Sequence, residues 1–188
     1  MTDKQENKLT FGIEQVHFAP LTVSPTGDIT YEAPKRLPGA RSIELDPQGT
    51  DIKLKADNSD YFVSESNEGY TGKLKFYNLT PEFRQYALGE EVKGDYIIET
   101  AAAERKPFAL LFQFEGDKHA TRHVLLYCTA KRPKDSSSTK DGSNYNEVEL
   151  EFKASPRPSD KVVKVKTHKD TEKEKYDNFF KQVITIPA

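Results

Sequence analysis

The chain has 188 residues, 35% hydrophobic and 31% charged, with a formal net charge of -2 and a pI near 6.1. Its length suits a single β-rich domain. Its near-neutral charge argues against a phosphate-holding face, and it has no apolar run near the ~20 residues that a membrane-spanning helix needs.

Met1 to Lys8 is polar and lacks the apolar core of a secretory signal, so it reads as an arm that stays disordered until something binds it. A chain of this kind is expected to be made and used in a cytosol or in a particle assembled there. From about Phe11 to Pro156 strand patterns alternate with turn chemistry, so the class expected is mainly β. Pro38-Gly39 and Asp46-Pro47-Gln48-Gly49 read as turns around the alternating strand Arg41 to Leu45. Ile52 to Ala56 repeats that alternation, Asp57 to Asp60 turns the chain, and Tyr61 to Ser66 resumes it. Gly72 to Leu79 adds a strand with Leu74 and Phe76 on one face. A short helix then starts at Thr80 as cap and Pro81 as first residue, shows Phe83, Tyr86 and Ala87 on one side, and stops at Gly89.

Lys106 to Pro133 holds two long apolar β-type runs separated by Gly116-Asp117, which predicts a hairpin of the two best-buried strands. The polar loop from Pro133 to Asn144 has no apolar anchor and is expected to be mobile or held by a partner. In Tyr145 to Ala154 the residues Val148, Leu150, Phe152 and Ala154 face inward while Glu147, Glu149 and Glu151 share the outer face. Near the C-terminus Thr171-Glu172-Lys173-Glu174 has capping-box spacing, and Tyr176, Phe179 and Phe180 form a stripe to pack on the sheet or on a neighbouring subunit. Val183 to Ile186 reads as a short β segment.

Catalytic signals are absent: no nucleophile elbow, P-loop, dinucleotide fingerprint, zinc-type cysteine pairs or His-Glu-x-x-His occurs. The expectation is no enzyme, no cofactor and no metal. A lone Cys128 cannot form an intrachain disulfide, so stability must come from packing or assembly. His119 and His123 are four apart, a spacing that suits a metal on a helix, whereas here they flank a strand start and read as solvent-facing or interface residues. Strand alternation puts Val124, Leu126, Cys128 and Ala130 on one face and His123, Leu125 and Tyr127 on the other, which separates Cys128 from its only nearby base. The lysines of Lys161 to Lys175 are interrupted by Asp170, Glu172 and Glu174, as in a solvated surface.

Several segments spread along the chain carry a family likeness. They are Thr10 to Ala19, Leu37-Pro38-Gly39-Ala40, Ala56-Asp57-Asn58, Tyr61 to Ser64 with Gly69 to Gly72, Leu88-Gly89-Glu90, the Lys106 to Pro133 hairpin, and Ala154 to Pro158. Over roughly Leu9 to Pro158 the chain resembles the major tail proteins of long-tailed, non-contractile phages of Gram-positive bacteria. That resemblance implies a β-sandwich with one or two short flanking helices, closing into a hexameric ring with a β-barrel bore. Rings would stack into a tube around a tape-measure protein, and double-stranded DNA would pass through without sequence-specific contact. The chain would then sit in the virion tail, and in the host cytoplasm before assembly. Residues 1–8 would be an arm, 9–158 the tube domain, and 159–188 an extension that makes assembly contacts.

Under that reading the carboxylates Glu147, Glu149 and Glu151, with Glu44, are candidates to line the bore and repel phosphates; an ordinary solvated strand face is the competing reading. Candidate assembly contacts are Lys134, Asp135, Lys140, Asp141, Tyr176, Phe179 and Phe180. A receptor- or carbohydrate-binding β-sandwich is the alternative function, made less attractive by the absence of Trp although there are 9 Tyr.

Overall fold

A computed structural model of the chain describes residues 6–56, 59–134 and 145–184, and for 51–65 the backbone alone. Strands dominate. In chain order they are β1 (Thr10–Val23), β2 (Ile29–Tyr31), β3 (Lys35–Arg36), β4 (Ala40–Gln48), β5 (Asp51–Ala56), β6 (Ser59–Glu65) and β7 (Gly69–Phe76). After helix α1 (Pro81–Phe83) come β8 (Glu91–Lys93), β9 (Tyr96–Ile98), β10 (Phe108–Gly116), β11 (Thr121–Ala130), β12 (Val148–Ala154), β13 (Lys164–Lys166) and helix α2 (Lys173–Asp177).

The main sheet runs β2-β1-β10-β11-β12-β7-β4, with β3 also on β1 and β13 also on β11. All its pairings are antiparallel. β4, at one end of this path, nevertheless meets β1, next to its other end, with no ladder between them. The sheet therefore curls around one interior. Val16 and Phe18 of β1, Phe108 and Phe112 of β10, Phe152 of β12 and Phe76 of β7 all point into that inner core. Curling follows from irregular pairing: β1 is bulged twice against β10, between Phe11 and Ile13 and between Glu14 and His17. Two hairpins, β5–β6 and β8–β9, pair only within themselves among the described residues.

β10 is buried on both faces, which explains its unbroken Phe-Ala-Leu-Leu-Phe run. Its outward residues Ala109 and Leu111 join Ala19, Val124 and Leu126 in a second cluster that the C-terminal segment closes with Phe179 and Val183. A bulge sorts β11 between the clusters. Leu110 pairs with Leu125 and Phe108 with Cys128, so two steps on β10 match three on β11. Leu125, Cys128 and Ala130 consequently enter the inner core while Val124 and Leu126 face outward, which corrects the regular alternation expected from the sequence.

Helix α1 starts as expected: the Thr80 hydroxyl accepts from the Phe83 amide at 3.4 Å and Pro81 occupies the first turn. It continues as a π-turn over Arg84–Leu88 and ends at Gly89, whose φ of 76° and approach to Glu104 leave no room for a side chain. Other punctuation differs from expectation. Pro47 lies within β4, an edge strand, where its missing N–H faces no partner. Ser59 and Asp60 already belong to β6, and Asp57 and Asn58 lie outside the described residues. Gly116 stays in β10, so the hairpin loop is 117–120. Thr171 is not a helix cap, because its hydroxyl accepts from the His168 amide and α2 begins after Glu172. Val183 and Ile184 form no strand, and Thr185 and Ile186 lie outside the described residues. The arm is anchored at its end: Asn7 Nδ2 donates to the His119 carbonyl at 2.7 Å, and Asp117 accepts from the Lys8 amide at 2.8 Å.

Candidate assembly surfaces

The outer face of β12, β7 and β4 carries the carboxylates singled out above. Register places Lys73 between Glu44 and Glu151, and Lys75 between Ser42 and Glu149. Glu149 lies 3.7 Å from Lys75, Glu151 accepts from Lys131 at 2.9 Å, and Glu147 pairs with Arg41. The Lys131 ammonium holds the Glu151 carboxyl below its ordinary range. The four carboxylates thus face four cations, Arg41, Lys73, Lys75 and Lys131, and this is not the bare acidic row that β12 alone suggested. The reason is cross-strand: β7 contributes alternate lysines to the same face, which only the register reveals. Lys134 is exposed beside this row and lines a groove with Lys131, Arg132, Glu147, Glu149 and Glu151. Asp135, Lys140 and Asp141 lie outside the described residues.

The C-terminal aromatic stripe seats on the chain's own sheet. Phe179 is buried, so none of its surface is left to offer another subunit in this arrangement. Phe180 stacks on His17 with ring centres 4.9 Å apart, and the Tyr176 hydroxyl donates to the Ala120 carbonyl at 2.9 Å. Arg122, which the sequence did not single out, clasps the segment. Its guanidinium lies over Tyr176 at 3.7 Å and Phe180 at 5.0 Å and donates to the Tyr176 carbonyl. Its Nε donates to Gln113 at 3.3 Å, and Gln113 donates in turn to Glu14 at 2.9 Å.

His123 is not solvent-facing. It stacks on Phe112 at 5.2 Å, and its Nε2 is buried without a hydrogen-bond partner. Burial, with Lys164 and Lys166 nearby, lowers its pKa to about 4. Burial pushes the Cys128 thiol up. The two residues stand five positions apart along one strand, about 16 Å, too far for a nucleophile and its base. Among the described residues no three His, Cys, Asp or Glu side chains are grouped to hold a metal, and no helix is long and apolar enough to cross a membrane.

Exposed large apolar side chains gather in two places. Val92, Tyr96 and Ile97 are 52%, 74% and 54% exposed on the β8–β9 hairpin. Leu9, Phe11, Tyr77 and Tyr145 surround the β1/β4 seam, where Tyr77 and Tyr145 meet edge to face at 6.2 Å and Arg41 lies over Tyr77 at 5.4 Å. The seam itself is a groove of about 300 Å³ lined by Phe11, Ile13, Arg41, Ile43 and Phe114. Sequence reading missed the hairpin, although Gly94-Asp95 between Val92-Lys93 and Tyr96-Ile97 is the signal that marks it. No family model matches the chain, and no curated protein matches it in sequence.

Proposed function

We propose that this chain is a tail-tube subunit of a long-tailed, non-contractile phage, which forms stacked hexameric rings around a tape-measure protein and conducts DNA into the host. The observation that carries the reading is the open seam: a nearly closed sheet leaves the outer edge of β4, and that of the first part of β1 from Thr10 to Gln15, without a ladder partner among the described residues. Unpaired edges invite another chain, and ring assembly is one way to cover them. The resemblance supports the same reading, since its segments fall on β1, β6, β7, β10 and β11 of this architecture. The β12–β7–β4 face suits a bore because its lysines are engaged by carboxylates and leave little free positive charge to hold phosphate. No chemistry is required of such a subunit.

A receptor- or carbohydrate-binding module is the second reading, favoured by the exposed Tyr77–Tyr145 pair. Negative-stain electron microscopy of concentrated protein, with its mass in solution, separates the two. Rings or tubes of regular diameter with a stain-filled centre are expected. A protein that stays monomeric, even when co-expressed with other tail proteins, overturns the tube reading.

A further inference from the structure

Seven of the eight large apolar side chains exposed on the described residues fall in the two patches above, and the patches differ in shape. One is a protruding hairpin; the other surrounds a groove. They also lie at opposite ends of β10. Nine residues lead from the end of the hairpin to Phe108, and Glu99 at its base pairs with Arg132 beyond the end of β11, which holds the base near the Phe108 end of β10. The groove is lined by Phe114, six residues further along β10, a distance of about 20 Å. A rigid hairpin therefore does not reach the groove of its own chain.

We propose that the β8–β9 hairpin of one copy seats in the β1/β4 groove of the next. The inference rests on the tube reading and names the contact that would build it. Apolar Val92 and Ile97, which pair across the hairpin and share one face, would cover Phe11, Ile13 and Ile43, and the hairpin's free backbone edge would lie beside the open edges of the seam. Charge favours a second copy as the occupant. Arg41 is the one charged residue lining the groove, and its partner Glu147 stands outside that lining, so the guanidinium's remaining donors can take a further acidic group. On the hairpin Glu91 and Lys93 cancel at 2.8 Å, leaving the tip residue Asp95, which has no partner among the described residues. Two different patches on one chain make a heterologous contact, which propagates head to tail and closes into a ring when the rotation allows.

Engineered cysteines test this directly, because the native Cys128 is buried and will not interfere. Ile97→Cys and Phe11→Cys in one chain should give, on mild oxidation under assembling conditions, a ladder of covalent oligomers on a non-reducing gel. The two single variants mixed should stop at covalent dimers, and neither alone should crosslink. Val92→Glu with Ile97→Glu, both on exposed positions, should leave the melting curve in place and raise the concentration needed for assembly at least tenfold. Regular tubes without a ladder would overturn this contact and leave the tube reading standing. Dimers from Ile97→Cys alone would make the contact symmetric and overturn it too. Failure to assemble under any condition would remove both proposals.

Discussion

The two halves of the main sheet share one inner core and differ in what lies outside it. Strands β1, β10 and β11 are covered on their outer face by the C-terminal segment, through Phe179, Phe180, Val183 and Ile184. Strands β12, β7 and β4 carry on that face a lattice of carboxylates and lysines open to solvent. The sequence records the difference as period. Phe-Ala-Leu-Leu-Phe in β10 is apolar at every step, and Val-Glu-Leu-Glu-Phe in β12 at every second step. A two-sided strand thus contributes to stability through both of its faces, a one-sided strand through one.

The largest expected effects probe that rule residue by residue. Leu110→Ala and Leu111→Ala, on opposite faces of β10 and both buried, should each cost about 2 to 5 kcal/mol in denaturant unfolding. On β12 the neighbours part company: Leu150→Ala should cost as much, while Glu149→Ala should stay within about 0.5 kcal/mol. A tolerant Leu111 would mean that the C-terminal segment does not cover the sheet in solution.

Next in size is a pH effect confined to the covered half. His123 on β11 has a folded pKa of about 4 against an ordinary 6.5, so the unfolded chain takes up the proton first as pH falls. Its contribution is complete above about pH 6.5 and is lost progressively towards pH 4, by roughly 2 to 3 kcal/mol in all. His17, under Phe180, is lowered by burial and acts in the same direction. Asp160, lowered to about 2 by Arg157, loses its contribution only below this window. Thermal melts from pH 7 to 4 should show the decline, and His123→Phe should flatten it; an unchanged slope would place the loss elsewhere. On the one-sided half Gly72→Ala should cost about 1 to 3 kcal/mol, because its new Cβ would stand 2.2 Å from the Phe152 ring. Phe152→Leu in the same chain should recover part of that loss, since the clash is with the ring.

Much of this architecture is legible in the residues themselves. Period alone marks β10, β11 and β12 and the inward face of β12, and cap chemistry alone marks the start and stop of α1. What escapes depends on partners distant in sequence. The β11 bulge exists because β10 sets the register, and no local residue of β11 announces it. His123 looks exposed next to Arg122 and Thr121 until Phe112 is laid against it. The carboxylates of β12 look bare until Lys73 and Lys75, more than 70 residues away, are placed beside them. Tyr176, Phe179 and Phe180 do read as a packing stripe, yet the sequence could not decide between the chain's own sheet and a neighbour's, and Arg122 settles that locally.

The smallest expected effect belongs to the ionic face, and it separates attraction from mere neutralisation. Lys73 lies directly opposite both Glu44 and Glu151. Removing its charge with Lys73→Met keeps the aliphatic stem and leaves two carboxylates facing across the vacated position. Exposed ion pairs add little, so the melting temperature should fall by no more than about 2 °C. The residual loss should be repulsion, and it should shrink as ionic strength rises from about 0.01 to 1 M, where the screening length contracts from roughly 30 to 3 Å. Glu44→Gln added to Lys73→Met should restore most of it by removing one of the facing charges. If the single variant instead cost as much as Leu111→Ala and ignored salt, the β12–β7–β4 face would be packed against something, and the two halves of the sheet would be alike.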